Sequence, residues 1–307
     1  HGVVGDAVRA VAPHSEAGEA AILVCLLTML GNLIGPGPYT AVGATHHSAN
    51  LFTLIIGATA KSRKGTALSE ARRIALLADP DWERRIISGI GSGEAIISRL
   101  RDVDPSQVQP GEVPPPVDKR SQITEEEFAR VLKVADRSGS TISEVLRSAW
   151  DGIPLQNITK GLDLKATGTH ISMIGQITVE EFASLVSKID VNNGLINRHL
   201  MVMTGRSKLL PQPGQPDPAV LLTLESRLQH SVTMARSMKE VTRTGPADTR
   251  WEEIYVDLES EQPSGLLGAA TARTSAQLLR LAIFIFHGDL HRRVGVAKID
   301  IERNDFL

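Results

Sequence analysis

The segment IIGATAKSRKGT, residues 55–66, combines residue types that could hold a phosphate group. An apolar run ends in Gly57, three cations follow, and a Gly-Thr pair comes after them. A phosphate site of this kind needs a strand that ends at the sheet edge, a loop with inward-facing N–H groups, and a helix N-terminus directed at the anion. Residues 50–57 can supply the strand, residues 57–65 the loop, and TALSEARRIALLA the helix. The pattern indicates either a phosphate-binding loop or a basic turn between a strand and a helix.

The spacing of the cations differs from the usual phosphate-loop pattern G-x-x-x-x-G-K-[ST]. If Lys64 is the phosphate lysine, Ala58 and Arg63 stand at the two glycine positions. Thr66 then follows one residue later than the pattern requires. If Lys61 is the phosphate lysine instead, the serine after it fits, but neither glycine position holds glycine. Because a few cations on a loop are commonly just solvated, the basic-turn alternative stays open.

Apolar runs alternate with stretches of helical pattern around this segment. Runs of this length, separated by helices, are typical of a mostly parallel sheet that is buried on both faces. We therefore predict an α/β fold, in which the polar run RSQIT is the weakest strand. The predicted strands are residues 50–57, 84–91, 120–124, 170–177 and 198–205, and the predicted helices between them are residues 67–78, 92–102, 125–138, 141–152 and 179–189.

Three regions follow from the distribution of glycine and proline. Residues 1–45 are predicted to be a helical N-terminal segment that ends in the helix-breaking run GPGPYTAVG. Residues 46–212 are predicted to form the α/β core, which a long proline-rich loop interrupts at residues 102–120. Residues 213–307, which follow a second proline-rich run, are predicted to be wholly helical. Loops as long as the first are usually functional or disordered.

Composition limits the classes of protein to which the chain can belong. With 307 residues, of which 42% are hydrophobic and 22% charged, the chain can bury one large core. A formal net charge of -2 argues against nucleic-acid binding through overall charge, but it leaves room for a local basic face. Cys25 is the only cysteine, which excludes intrachain disulfides and cysteine-rich metal sites. The apolar run 19–35 is short for a membrane span and no signal-peptide pattern occurs, so we predict a cytoplasmic location without membrane contact.

Six segments carry a resemblance to a known family. They are LFTLIIGATAKSRKGTA, SGEAIISRLRD, DKRSQITEEEFARVL, SEVLRSAWDG, TGTHISMIGQIT and NGLINRHLMVMTGRSKLLP. In order and approximate spacing they resemble the P-loop, helicase-like domain family found beside primase-polymerase domains in replication proteins of bacteria, plasmids and phages. The resemblance spans about residues 20–290 and implies a RecA-like fold with Mg²⁺-dependent ATP hydrolysis coupled to work on DNA. It further implies a homo-oligomer, such as a ring, and a primase-polymerase partner.

The resemblance implies a role for each residue of the opening segment. Lys64 matches the phosphate-binding lysine, whose ammonium would contact the β- and γ-phosphates of ATP. Thr66 would offer its hydroxyl to Mg²⁺, and the two glycines would let the backbone approach the phosphates. An exposed basic pair is the alternative for Lys61 and Arg63. The implied nucleotide-binding residues are Gly57, Thr59, Lys61, Ser62, Arg63, Lys64, Gly65 and Thr66.

The family's acidic segment is an apolar strand followed by Glu-x-Glu-Phe, which RSQITEEEF resembles. Glu125 and Glu127 match the acidic positions, so Glu125 would bind Mg²⁺ and Glu127 would assist catalysis. Ser121 and Gln122 depart from the family pattern, because bulky apolar residues are expected at their positions. A capping box is the alternative interpretation, in which Thr124 and Glu127 cap the following helix.

Two further segments imply polar groups near the phosphates. Gln176 ends the run HISMIGQI, a strand that we expect beside the acidic one, and its amide would either sense the γ-phosphate or pair with backbone. Arg206 and Lys208 follow the run RHLMVMTG and resemble the cations that ring-forming motors present to the phosphate of the neighbouring subunit. Arg198 is a second candidate for this role. A solvated surface position is the alternative for each of these cations.

Other residues stand out by type alone. His46 and His47 are adjacent, so their side chains point apart on an extended chain, and we predict no metal site there. Arg273 and Arg280 lie on one face of an apolar helix and would either contact phosphate or DNA or form interhelical salt bridges. Two further classes of function stay open beside the ATPase: a nucleotide-binding or assembly module that has lost turnover, and a purely structural domain.

Overall fold

The structure is a computed structural model that describes residues 2–58, 60–103, 118–160, 162–185, 194–260, 268, 271–288 and 298–299. Within those ranges the helices are α1 (Gly2–Val11), α2 (Glu19–Ile34), α3 (Lys64–Ala78), α4 (Gly93–Leu100), α5 (Phe128–Ala135), α6 (Ile142–Asp151), α7 (Val179–Leu185), α8 (Pro218–Ser237), α9 (Gly245–Ser260) and α10 (Thr274–Gly288). The strands are β1 (Tyr39–Val42), β2 (Thr45–Ser48), β3 (Phe52–Ile56), β4 (Ile86–Ile87), β5 (Arg120–Glu125), β6 (Leu155–Thr159), β7 (Leu162–Ala166), β8 (His170–Ile177), β9 (His199–Met203), β10 (Thr242–Arg243) and β11 (Lys298–Ile299).

Five parallel strands form the central sheet, in the order β4-β5-β8-β3-β9. The fold is therefore α/β, with a parallel sheet flanked by helices, as the sequence predicted. Each predicted strand is present, and β8 spans the same residues, 170–177, as the apolar run. Every residue of β3 and β8 is buried, because a parallel sheet that is covered on both faces needs apolar side chains in both directions.

Helices cover the two faces of the sheet and create two hydrophobic cores. The first core joins α1, α2, α3 and α8 to the sheet through Ile55 and Ile174. The second joins α4, α5 and α6 to the sheet through Leu54 and Ile56. Successive side chains of a strand point to opposite faces, so neighbouring residues of β3 belong to different cores. After β3 the chain continues into α3, which lies on the face of the first core. After β8 it continues into α7, which packs against α5 on the face of the second core.

Side-chain hydrogen bonds hold α2 on the sheet in addition to apolar contact. Asn32 donates from Nδ2 to Ser121 O at 2.9 Å and to His170 O at 3.1 Å. Its Oδ1 accepts a hydrogen bond from Nε1 of Trp82 at 2.9 Å, so both ends of this buried amide are satisfied. His170 also donates from Nε2 to Gly31 O at 2.9 Å. The apolar N-terminal helix therefore forms one wall of the first core.

Helix α2 ends at Ile34, directly before the run GPGPYTAVG that was predicted to stop it, but the strands that follow were not predicted. Residues 39–48 form the antiparallel hairpin β1–β2, whose turn contains Gly43 at φ 58°. Glycine adopts such a positive φ readily, which allows the tight reversal. Tyr39 stacks on His46 with the ring centroids 4.2 Å apart, a cross-strand contact that stabilises the hairpin.

The prediction that residues 213–307 are wholly helical is wrong. Helices α8, α9 and α10 occupy much of this region, but β10 pairs in parallel with β11. A second hairpin, β6–β7, was not predicted either. Most of the proline-rich segment predicted as a long loop lies outside the described residues. None of the helices in the described ranges combines the length and the apolar character that crossing a membrane requires.

Candidate functional site

The segment that was predicted to bind phosphate lies at the carboxyl edge of the sheet, between β3 and α3. Strands β3 and β8 are neighbours, and the chain leaves them toward opposite faces of the sheet. Ligands of open parallel sheets bind at such a point, because the two departing chains open a crevice. Gly57 N donates to Ile177 O at 3.2 Å and so joins the start of the loop to the end of β8. The loop therefore lies where this fold type places a ligand.

Gly57 permits three segments to approach one another closely at the start of the loop. A Cβ atom at this position would lie 2.7 Å from Thr204 O and 2.8 Å from Ser62 Oγ, which is closer than real Cβ atoms come. Ser62 is buried, and its Oγ donates to Ala58 O at 3.2 Å. The loop therefore folds back on itself, and a side chain at residue 57 would force it open.

Arg63 has a left-handed backbone conformation, with φ 59° and ψ 30°, at the N-cap of α3. Among the described residues no other non-glycine residue has a positive φ. This conformation costs roughly 1–2 kcal/mol for a residue with a Cβ atom, whereas glycine adopts it readily. Position 63 is the second glycine of the phosphate-loop pattern when Lys64 is the phosphate lysine. The sequence departs from the pattern there, but the backbone follows a path that suits glycine.

Lys64 is the first residue of α3, and its ammonium folds back over the loop. Nζ donates to Gly57 O at 3.0 Å and to Ala58 O at 2.8 Å. Burial lowers the pKa of Lys64, and the carboxylates of Glu181 and Glu180 partly oppose this shift. The ammonium therefore lies inside the loop, held by carbonyl oxygens that the oxygens of a phosphate could replace.

Two polar side chains from neighbouring strands approach the start of α3. Gln176, at the end of β8, donates from Nε2 to Lys64 O at 3.1 Å. Its strand does lie beside β5, and this contact is the backbone pairing that the sequence left as an alternative. Glu126, in the turn after β5, places Oε2 3.6 Å from the position that a Cβ atom on Gly65 would occupy. Glu126 is exposed, so its carboxylate faces the solvent at the first turn of α3.

The other predicted nucleotide-binding residues take different positions. Lys61 is exposed in a 3₁₀ turn formed by residues 60–62, and Gly65 and Thr66 are half-buried in the first turn of α3. Thr59 lies outside the described residues. The structure therefore brings Lys64 and Thr66 to the same helix end, and leaves Lys61 on the surface.

Glu125 and Glu127 lie in different environments at the end of β5, and their predicted roles stay predictions. Glu125 is buried, its Oε1 accepts from Ile90 N at 2.7 Å, and its Oε2 pairs with Arg130 at 3.2 Å. Glu127 is the N-cap residue of α5, but its side chain makes no capping bond. The capping-box alternative is wrong, because Thr124 lies inside β5 and donates to a carbonyl of β4. In this acidic run, Glu126 is the residue that approaches the loop.

Arg206 lies beside the loop of its own chain. Its Nε is 3.9 Å from Oε2 of Glu16, and the same oxygen is 2.5 Å from a terminal guanidinium nitrogen of Arg63. Lys208 donates from Nζ to two carbonyls that follow α1, at 2.7 and 3.1 Å. Lys208 is nevertheless exposed, which agrees with the solvated-surface alternative. Arg206 therefore lies within reach of Glu16 of its own chain, and its predicted role toward a neighbouring subunit stays a prediction.

Three arginines surround Trp150 at the opposite, amino edge of the sheet. Arg198 is 5% exposed and pairs with Asp151 at 2.7 Å, so it is not a solvated surface residue. Cζ of Arg280 lies 4.0 Å from the centre of the Trp150 ring. Arg273 lies 3.9 Å from Asp151, which agrees with the salt-bridge alternative. These three cations are therefore structural in this conformation and lie away from the loop.

The two adjacent histidines belong to the hairpin β1–β2, in β2. Burial lowers the pKa of His47 to about 4, so its imidazole is neutral near pH 7. His46 stacks on Tyr39 instead of facing a shared site with His47. Within the ranges that the structure describes, no group of three or more His, Cys, Asp or Glu side chains is arranged to hold a metal ion.

The sequence prediction did not single out Glu126 or Glu16, which lie beside the loop. The signal for Glu126 was its place in a run of three acids, but a pattern does not show which carboxylate turns toward the loop. No feature of the sequence joins Glu16 to Arg63. Comparison with known proteins finds no match for this chain, either among protein-family models or among curated proteins.

Proposed function

We propose that this chain binds ATP with Mg²⁺ at residues 57–66 and hydrolyses it. The phosphates would lie against the N-terminus of α3, with Lys64 as the phosphate-binding lysine and Thr66 facing the metal ion. Glu126 would take the catalytic role that the resemblance had implied for Glu127. Mg²⁺ would neutralise charge on the phosphate oxygens.

The observation that carries the proposal is the charge at the N-terminus of α3. The first N–H groups of a helix have no intrahelical acceptor and give its N-terminus a partial positive charge, so an acidic or capping side chain normally stabilises it. In α3 the N-cap residue Arg63 makes no capping bond, and the first turn has Lys64 but no acid. A helix end with this charge becomes favourable when it holds an anion.

The backbone conformation of Arg63 gives a second, independent support. A residue with a Cβ atom stays at positive φ only where the surrounding structure requires that path. Here the path is kept even though arginine replaces the glycine of the pattern. The mismatch in sequence at position 63 therefore does not weigh against a phosphate-binding loop.

Each polar side chain would have its own task at the bound phosphates. Lys64 would exchange its bonds to the loop carbonyls for bonds to phosphate oxygens, which are stronger because both partners are charged. Gln176, which already bonds Lys64 O, would hold the first turn of α3 in position. Glu126 would orient the attacking water and accept its proton, which requires an exposed carboxylate near the helix end.

The wider proposal is that hydrolysis drives a helicase-like step on DNA during replication of a mobile element or phage. This part rests on the sequence resemblance, and the parallel α/β sheet is compatible with it. Contact with DNA would be local, because the net charge of -2 gives no overall attraction to nucleic acid. A primase-polymerase partner and a ring of identical subunits belong to the same hypothesis.

Replacement of Lys64 tests the binding step. In Lys64→Ala, the dissociation constant of a fluorescent ATP analogue should rise by about 10- to 100-fold, because one charge-assisted contact is lost. Lys61→Ala is the matched control: it removes the same charge from an exposed position of the same loop and should change affinity by less than about threefold. Equal affinity of Lys64→Ala and the wild type would refute the assignment.

One observation favours a second candidate, a nucleotide-binding module without turnover. Both oxygens of Glu125 are engaged by the protein itself, so the carboxylate that best matches the family pattern is not free for catalysis. Phosphate release, measured with and without single-stranded DNA, separates the two candidates. Binding that depends on Lys64 without any phosphate release would support the second one.

A further inference from the structure

Two arginines converge on one carboxylate at the mouth of the loop. A terminal guanidinium nitrogen of Arg63 lies 2.5 Å from Oε2 of Glu16, and Nε of Arg206 lies 3.9 Å from the same oxygen. Arg63 immediately precedes Lys64, so both arginines lie next to the proposed phosphate site. Three cations therefore share one region, and Glu16 is the carboxylate that the structure pairs with the two arginines.

The peptide segment that carries Glu16 is fixed to the segment that carries Arg206. Ser207 donates from its backbone nitrogen to Glu16 O at 2.9 Å. Oε1 of Glu16 accepts from Leu210 N at 2.8 Å, so the two carboxylate oxygens have different partners. The arginine neighbours and this backbone bond keep the pKa of Glu16 below its usual value, with the Leu210 N–H as the largest cause. Glu16 is therefore an anion held in a fixed position.

The two guanidinium groups are not fully satisfied by Glu16. Nε of Arg63 and Nε of Arg206 are both buried, and neither has a hydrogen-bond acceptor in the described part of the chain. Buried donors without acceptors cost free energy, and most native structures avoid them. An anion with several oxygens could reach donors that one carboxylate oxygen leaves unpaired.

We propose that Glu16 competes with the nucleotide phosphates for Arg63 and Arg206. The carboxylate holds both arginines in the free protein, and the polyphosphate displaces it to reach them. The arginines then contribute to affinity within the same chain, and Glu16 sets how much of that affinity is realised. This inference rests on the proposed function, because it assumes that the phosphates lie at Lys64.

Glu16→Gln is the first test, because it removes the charge and keeps the size. Isothermal titration with a non-hydrolysable ATP analogue should show a dissociation constant lowered on the order of tenfold, because the phosphates no longer compete with a carboxylate. Glu19→Gln is the matched control, since Glu19 is an exposed acid in the first turn of α2. It should leave the affinity within about twofold of wild type.

Double substitution tests whether the effect passes through the arginines. Arg63→Gly keeps the backbone path, because glycine tolerates the positive φ, and removes one guanidinium. Arg206→Gln removes the other. In a protein that carries both replacements, Glu16→Gln should no longer tighten binding. A tightening that persists without the arginines overturns the proposal, and so does weaker binding by Glu16→Gln alone, which would mean that the carboxylate organises the site.

The outcomes separate this inference from the proposed function. Binding that is lost in Lys64→Ala but unchanged in Glu16→Gln overturns the inference alone. Inorganic tripolyphosphate serves as a second probe. If ATP does not bind, but tripolyphosphate binds more tightly to Glu16→Gln than to the wild type, the proposed function is wrong and the competition by Glu16 is supported. If neither ligand binds wild type or Glu16→Gln, both proposals fail. Glu16→Asp keeps the charge on a shorter side chain and serves as a conservative variant. Its affinity for the ATP analogue should lie between those of the wild type and Glu16→Gln.

Discussion

Three consecutive glutamates at the end of β5 occupy three different environments. Glu125 is buried in an ion pair with Arg130, Glu126 is exposed beside the first turn of α3, and Glu127 is the N-cap residue of α5. Identical side chains therefore differ in what they can do. An exposed carboxylate at the loop can reach a water molecule, whereas a carboxylate with both oxygens bonded to the protein stabilises the fold.

Glu126→Gln should separate binding from turnover. Loss of a general base typically lowers the rate by about 10²- to 10⁴-fold, so phosphate release should fall by that amount while ATP affinity stays within a few-fold of wild type. Steady-state phosphate release and analogue titration on the same preparation measure the two quantities. Glu127→Gln, the neighbouring exposed acid, is the control and should retain most activity. Full activity of Glu126→Gln would contradict its assigned role.

The residues of the loop could be predicted only in part from the sequence. The pattern placed the loop correctly between β3 and α3, because the order of strand, glycine, cations and helix is a local signal. It could not choose among Glu125, Glu126 and Glu127, because the direction of each carboxylate depends on how the turn after β5 is bent. It also gave no indication that Arg206 approaches Glu16, since sequence contains no information on contacts between distant segments.

At the scale of elements, α10 is joined to the amino edge of the sheet by Arg280. This arginine is 2% exposed, donates to Trp150 O at 2.8 Å, and also donates to Ser48 O and Asn50 O, each at 3.1 Å. Burial lowers its pKa to about 9, so it remains charged at pH 7. One side chain therefore satisfies carbonyls from β2, from Asn50 ahead of β3 and from the end of α6.

Arg280→Met should destabilise the protein by about 3–5 kcal/mol, because it leaves buried carbonyls without donors. Urea denaturation followed by circular dichroism measures this change as a lower midpoint. Arg273→Met removes a half-exposed arginine from the residue just before the same helix and should cost less than about 1 kcal/mol. Similar midpoints for the two variants would show that the buried contacts of Arg280 contribute little.

Close packing between β8 and α5 depends on Gly175. A Cβ atom there would lie 2.7 Å from Cδ2 of Phe128 and 3.0 Å from Cδ1 of Leu54. Gly175→Ala should therefore cost about 1–3 kcal/mol through overpacking. Gly91→Ala is the control, because no atom lies within 4 Å of its Cβ position. Differential scanning calorimetry should show a lower Tm for the first variant only, and an unchanged Tm would mean that Phe128 moves aside freely.

The elements themselves followed the sequence well where their patterns were long and local. Four sheet strands came from apolar runs and β5 from the polar run RSQIT. Strand β4 kept only two residues because the segment before it, Pro80–Arg85, forms a 3₁₀ helix. The hairpins β1–β2 and β6–β7 were missed because their strands are short and only partly buried, so they lack the apolar run that identified most strands of the sheet. The conformation of such segments depends on tertiary contacts, such as the stacking of Tyr39 on His46.

At the scale of the whole molecule, two buried histidines make stability depend on pH. Burial lowers the pKa of His170 and of His199 to about 4, and each ring donates to a backbone carbonyl, at 2.9 and 3.0 Å. In the unfolded chain a histidine has a pKa near 6.5. Between these two values the unfolded state binds more protons than the folded state, so acid favours unfolding.

These two histidines should therefore leave the free energy of unfolding constant above about pH 6.5 and lower it as the pH falls toward 4. Each histidine contributes a slope of up to about 1.4 kcal/mol per pH unit. Urea titrations between pH 4 and 8 measure the slope. His170→Asn, which keeps a donor for Gly31 O, should reduce it; an unchanged slope would show that other groups cause the acid sensitivity.

The hydrogen bonds of Asn32 have a consequence for the order of events during synthesis. This residue of α2 bonds to carbonyls 89 and 138 positions later in the chain. At a translation rate of about 5–20 residues per second, α2 waits on the order of ten seconds for the strands that cover it. During that interval its apolar face has no sheet to pack on, so nascent chains that stop at residue 160 should bind a hydrophobic dye or a chaperone. Chains extended beyond β8 should no longer bind the dye or the chaperone. Equal dye binding by the shorter and the longer chains would mean that the apolar face of α2 packs on another part of the chain.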